Sequence, residues 1–179
     1  MIEVDVTPSM LKEAKRRTAE AIKRFGKSGG GRTHRTHSSR QKTTGFLAEV
    51  CINHVFPEIE YSGELNVDFY FQSISIDAKA QGCNSKPLSY YSATLYEEQK
   101  KRHADYYIFK RVKNDFSKVW ICGIISKENF FKIAKLQKAG TKTNNFTYDQ
   151  ARYEIEYKYL NCLKSFVGEA KAKDSQWML

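Results

Sequence analysis

No stretch of the 179-residue chain approaches the roughly 18 apolar residues that a membrane span requires. The first residues, MIEVDVTPSM, lack the basic-then-apolar order of a secretory leader. Both absences lead to the expectation of an intracellular, cytoplasmic protein that is not secreted and has no membrane partner. Cysteine is sparse and scattered: Cys51, Cys83, Cys122 and Cys162 lie 32, 39 and 40 residues apart, with no CxxC and no CxxH. That spacing argues against a zinc knuckle and a thioredoxin-like redox pair, and leaves four reduced core thiols. Internal repeats are lacking too. Gly26-Lys27-Ser28 matches the end of a P-loop, but Ala21 stands where the first glycine must be and no apolar strand precedes it, which excludes that type of ATPase.

Apolar residues are plentiful at 41%, with 11 Tyr and 11 Phe. A chain of this length buries about 70% of its unfolded surface, so one globular domain with a real core is expected. Thirty basic against twenty acidic side chains give a net charge of +10, unevenly placed. Residues 1–43 hold eleven basic and four acidic groups, a local +7 that leaves +3 for the rest. A basic arm on a nearly balanced body suits a polyanion partner.

Thr7-Pro8 is an N-cap followed by a first-turn proline, and predicts a helix over 8–25. Residues 26–44, GKSGGGRTHRTHSSRQKTT, carry four glycines and no acid, and read as a mobile basic linker. Its Lys27, Arg32, Arg35, Arg40 and Lys42 are the expected contacts to a phosphate backbone. His34 and His37 add to that arm rather than forming a metal site. From Gly45, Phe46, Leu47, Val50, Cys51, Val55 and Phe56 recur at helical spacing until Pro57. Glu49 is the oddity in that helix, since Ile52 and Phe56 lie three and seven residues beyond it. A buried acid needs a partner.

Residues 66–72 and 74–80 both alternate polar with apolar side chains and predict two strands. A tight turn centred on Gln72-Ser73 makes antiparallel partners sum to 145, which sets Asp68 opposite Asp77. Residues 90–102 predict another helix, with Tyr90, Tyr91 and Tyr96 read as core rather than as base-stacking groups. Residues 105–112 and 119–125 predict strands, the second apolar on both faces and therefore central. Ser126 caps a helix expected to end near Gly140. Residues 141–166 remain open between one long helix and a helix with a strand in RYEIEYKYL, and the tail from Gly168 is expected to fray.

Two aspartates opposed on one hairpin face stand with Cβ atoms about 5 Å apart, and such like charges need a neutraliser. A divalent cation is the natural one: Mg²⁺ uses one or two carboxylates and leaves positions for phosphate oxygens. Lys79 and Gln81 project from the same strand face as Asp77. The order Glu49 in a helix, Asp68 in one strand and Asp77-Ala78-Lys79 in the next resembles the PD-(D/E)xK nuclease superfamily, over about 45–126. Val67 stands in place of the proline before the first aspartate, a departure that many members share.

This resemblance implies an α/β fold with a restriction-endonuclease-like core, a central mixed sheet flanked by helices, following a basic N-terminal helix and linker over 1–44. The nuclease-like domain would span 45–179. It implies Mg²⁺-dependent hydrolysis of phosphodiester bonds in DNA, with Mn²⁺ as a substitute and endonucleolytic cleavage expected. Asp68, Asp77 and the Ala78 carbonyl would bind Mg²⁺, and Glu49 a second ion directly or through water. Lys79 would act on the attacking water and on the charge of the transition state, and Gln81 would position substrate. DNA is the expected partner, and a homodimer is left open. Two other classes compete: a noncatalytic basic DNA-binding module, and an interaction protein whose charge serves only solvation.

Overall fold

A computed structural model describes residues 1–25, 38–62, 67–142 and 147–176. In chain order these form β1 (Ile2–Asp5), α1 (Pro8–Phe25), α2 (Ser39–Val55), β2 (Glu60–Tyr61), β3 (Phe69–Phe71) and β4 (Ile74–Cys83). There follow β5 (Ser92–Tyr96), a 3₁₀ turn (Glu97–Lys101), β6 (Tyr106–Lys113), β7 (Lys118–Ser126), α3 (Lys127–Ile133) and β8 (Lys135–Gln137). The chain ends with β9 (Arg152–Glu156), a short 3₁₀ turn and α4 (Leu163–Gln176). The fold is mixed α/β, with a six-stranded mixed sheet ordered β1-β7-β6-β4-β3-β2 and a three-stranded sheet ordered β5-β9-β8. Among the described residues no helix is long and apolar enough to cross a membrane.

The period-two alternation of β6 sorts its side chains onto two faces. Ile108 and Val112 join one core with Leu47, Ala48, Cys51 and Ile52 of α2, together with α1 and α4 residues such as Ala14 and Val167. Tyr107 and Phe109 enter a second core with Ala93 and Leu95 of β5, Phe130 of α3 and Ile155 of β9. Strand β7 lies between β1 and β6 and is buried along nearly its whole length, as its two-sided apolar pattern predicts. A bulge interrupts its pairing with β6: Phe109 faces Gly123 but Lys110 faces Ile121, leaving Cys122 as the extra residue. Gly123 sits there at φ 153°, where a Cβ would lie 2.6 Å from Leu160 Cβ and 2.7 Å from the Asn161 carbonyl oxygen. Only glycine fits this close approach.

Several boundaries differ from expectation. The helix after the linker starts six residues early: Ser38 is its N-cap and forms a capping box with Gln41, so Arg40 and Lys42 belong to α2 rather than to a linker. Lys27, Arg32, Arg35, His34 and His37 lie outside the described residues. The helix expected over 90–102 is instead β5 and a 3₁₀ turn. Ala93 and Leu95 point inward at period two, and the strand is held by pairing with β9, about 60 residues away. Ser126 caps α3 as expected, its Oγ accepting from the Asn129 amide, but that helix stops at Ile133 because β8 pairs with β9. The ambiguous segment resolves into β9, and α4 continues through the tail expected to fray. The four cysteines are free thiols, but Cys83 is half-buried and Cys162 exposed, so only Cys51 and Cys122 are core thiols.

Candidate active site

The hairpin between β3 and β4 has the expected register, Phe69 with Ile76, Tyr70 with Ser75 and Phe71 with Ile74. Gln72 makes the turn at φ 54°. One step beyond the ladder, Asp68 donates its amide to the Ile76 carbonyl, and its Oδ2 accepts from the Ala78 amide at 2.7 Å. Among the described residues β4 is paired only with β6 from Asp77 onward, so this edge is left for the carboxylates. The N–H and C=O of one strand residue leave on the same side, which directs the Ala78 carbonyl to this edge too.

Asp77 is 2% exposed. Its Oδ1 accepts from Lys79 Nζ at 2.5 Å and its Oδ2 from Arg102 at 3.4 Å. Burial alone would raise the Asp77 carboxyl, but the Lys79 and Arg102 cations outweigh it and hold it below its ordinary value. Among the described residues the neighbouring Asp68 has no such ion pair. Burial first, then the Asp77 charge, pushes its carboxyl up to about 6. The two acids therefore differ in direction: the cations hold Asp77 ionised, whereas burial favours the protonated form of Asp68.

The remaining charges approach from the opposite face of β4. Glu49 is buried in α2, and its Oε2 makes no hydrogen bond among the described residues. Burial, reinforced by the charge on Asp68, pushes it up to about 8. Lys110 is 1% exposed on β6, in register with Ala80, and among the described residues its Nζ also lacks a hydrogen-bond partner. Burial lowers the Lys110 ammonium, against the pull of Glu49 and Asp68. Arg17 of α1 adds a guanidinium that stacks 4.2 Å over the Tyr61 ring and acts electrostatically on Glu49.

Beside Lys79 opens a cleft of about 950 Å³ between the first turns of α2 and the small sheet, lined by Arg40, Lys42, Lys79, Gln81, Arg102 and Asn114 among others. Arg40 is tied in place, donating to the Asn114 carbonyl and lying 5.1 Å from the Phe116 ring centroid. Gln81 donates to Thr94 Oγ1 at 3.0 Å, joining β4 to β5.

No family model, curated protein or solved structure matches the chain. The structure brings Asp68, Asp77, Ala78 and Lys79 together on one edge, sets Glu49 behind them, and places Arg40, Lys42 and Gln81 along the adjoining cleft. Tyr90 is 62% exposed, which removes it from the core. Lys110, Arg17 and Arg102 are additions. Lys110 carried a sequence signal in its phase, a lysine between Ile108 and Val112 on an apolar face.

Hard carboxylate oxygens at a strand edge that is unpaired among the described residues suit Mg²⁺, which needs only one or two of them and would share Asp77 with Lys79 and Arg102. Among the described residues no three His, Cys, Asp or Glu side chains gather closely enough to hold one ion. The fit is therefore to a site of two aspartates and a carbonyl completed by water and substrate.

Proposed function

We propose that this protein is a metal-dependent deoxyribonuclease of the PD-(D/E)xK type, built on a restriction-endonuclease-like core, that hydrolyses phosphodiester bonds in DNA as an endonuclease. The observation that supports it most is the gathering of Asp68 and Asp77 at the edge of β4 that is unpaired among the described residues, with Lys79, which lines a cationic cleft, holding its Nζ 2.5 Å from Asp77. Asp68, Asp77 and the Ala78 carbonyl would hold Mg²⁺ or Mn²⁺. When bound, such an ion polarises the phosphate oxygens and stabilises charge on the leaving 3′ oxygen.

The chain's own residues do the rest. Arg40, Lys42 and Arg102 line the cleft and draw in the phosphate backbone. Lys79 is held by Asp77 at the cleft wall, where its ammonium orients the attacking water and offsets the negative charge that builds on the scissile phosphate. Gln81, braced against Thr94, positions the strand.

A second reading, a noncatalytic DNA-binding module, draws on one observation: Lys79 and Arg102 already neutralise Asp77, so the acids could be structural. Supercoiled plasmid incubated with Mg²⁺ or EDTA separates the two. Nicking or linearisation only with Mg²⁺ is expected. Salt-sensitive DNA binding without cleavage would replace the nuclease reading with the second.

A further inference from the structure

Two buried charged groups that the proposed reaction does not use, Glu49 of α2 and Lys110 of β6, act electrostatically on each other behind the aspartates. Lys110 is 1% exposed and Glu49 is 8% exposed, and neither Lys110 Nζ nor Glu49 Oε2 makes a hydrogen bond among the described residues. Both lie on the helix-covered face of the sheet. Lys110 is placed there by the alternation of β6, between Ile108 and Val112, and its register partner on β4 is Ala80, whose small side chain leaves room under α2. The Lys110 ammonium lies 5.9 Å from the Phe69 ring centroid, so the ring covers it without supplying an acceptor.

A lysine this deep keeps its charge only where nearby acids compensate the burial. The acids that act on Lys110 are Glu49, Asp68 and Asp77, in that order of strength, while Lys79 repels it. Glu49 in turn feels Asp68, Lys110, Arg17 and Asp77. Glu49 is thus the acid most strongly coupled to Lys110, and it does not gather with the aspartates into one three-acid set.

We propose that Lys110 occupies the place of a second cation beside Glu49, so that the site takes a single divalent ion, on Asp68 and Asp77. This rests on the nuclease reading above, and it assigns Glu49 to the lysine rather than to a metal. A second dication at Glu49 would stand against a buried ammonium that cannot leave, with the Arg17 guanidinium also close enough to act on it. Lys110 is then a positioning residue: beyond Glu49 it acts on Asp68 and Asp77, and through them on the ion, and it touches no substrate.

The test counts ions on the full chain without DNA. Mn²⁺ titration followed by the electron paramagnetic resonance of free Mn²⁺, with calorimetry in parallel, is expected to give one equivalent per chain. Two equivalents would overturn the inference and leave the nuclease reading standing. No bound ion at all would remove the nuclease reading itself. Lys110→Met, which keeps length and loses charge, is expected to admit a second equivalent while the circular dichroism spectrum stays unchanged. A folded Lys110→Met chain that still binds one ion would show that the lysine is not what excludes the second. If that variant does not fold, Glu49→Gln supplies the same discrimination: it is expected to keep one equivalent with Kd changed by less than about tenfold, whereas a loss of about 100-fold or more would make Glu49 a ligand and sink the proposal.

Discussion

The Asp68 carboxylate accepts a 2.7 Å hydrogen bond from the amide of Ala78, the residue that separates Asp77 from Lys79. Through it the end of one strand is fastened to the middle of the next, and the two acids are held on one edge without a ladder between them.

If that edge binds the ion, Asp77→Asn should lower Mg²⁺-dependent plasmid cleavage by at least about 100-fold with an unchanged circular dichroism spectrum. The substitution keeps the side chain's shape and removes the charge. Cleavage within a few-fold of wild type by the folded variant would contradict the assignment.

Lys79→Ala should cost cleavage a similar factor of about 100 or more while Mn²⁺ affinity stays within about tenfold, because the ammonium acts on water and phosphate rather than on the ion. Calorimetry on the variant decides this. Complete loss of Mn²⁺ binding would mean that Lys79 instead holds Asp77 in place.

The pH dependence of stability follows from the two raised acids. Asp68 and Glu49 bind protons more tightly in the folded chain, with values of about 6 and about 8. Their contribution is therefore fully present below the ordinary carboxylate range and is lost as pH rises through those folded values. In EDTA, Tm is expected to fall between about pH 5 and about pH 8. The lowered Lys110 acts in the opposite sense only above its folded value, as pH rises toward its ordinary 10.5. Mg²⁺ favours the ionised acids and should flatten the fall. Scanning fluorimetry with and without Mg²⁺ checks both limbs, and a Tm that climbs through the whole EDTA series would count against buried, raised acids.

Gly123→Ala should destabilise the chain by about 2–4 kcal/mol in urea unfolding, since the new methyl meets Leu160 and the Asn161 carbonyl at a backbone angle that other residues rarely adopt. The same bulge shifts β7 against β6 beside Lys110. A variant as stable as wild type would show that the bulge can relax.

Replacing Lys27, Arg32 and Arg35 with Gln should flatten the slope of log DNA affinity against log salt by about 2.7, at about 0.9 for each phosphate contact. Fluorescence anisotropy over a salt series measures it. An unchanged slope would give those charges another purpose. Arg40 is left out because its guanidinium also braces Asn114 and Phe116, so its loss would disturb the cleft wall as well as remove a charge.

Local chemistry by itself determined the centre of this protein. A two-residue turn fixes a hairpin's register, so Gln72-Ser73 was enough to pair Phe69 with Ile76, and Asp68 follows at the end of that ladder, where its amide bonds the Ile76 carbonyl. Strict alternation likewise placed Lys79 and Gln81 on the Asp77 face, and an apolar run on both faces marked β7 as central. The first turn of α2 was also readable, because Ser38 and Gln41 have capping-box spacing, but the polar residues after them looked like more of the linker.

Tertiary structure decided what depends on a distant partner. β5 is a strand because β9 supplies its hydrogen bonds from about 60 residues away, and β8 exists for the same reason. A segment of five or so residues has too little periodicity to announce such pairing. The environment of Glu49 was decided the same way. Its burial follows from helix phase, but the buried cation that acts on it comes from a strand 61 positions later, brought under α2 by the parallel pairing of β4 with β6. Charge compensation acts across space, so a sequence can show that a buried acid needs a partner without naming Lys110.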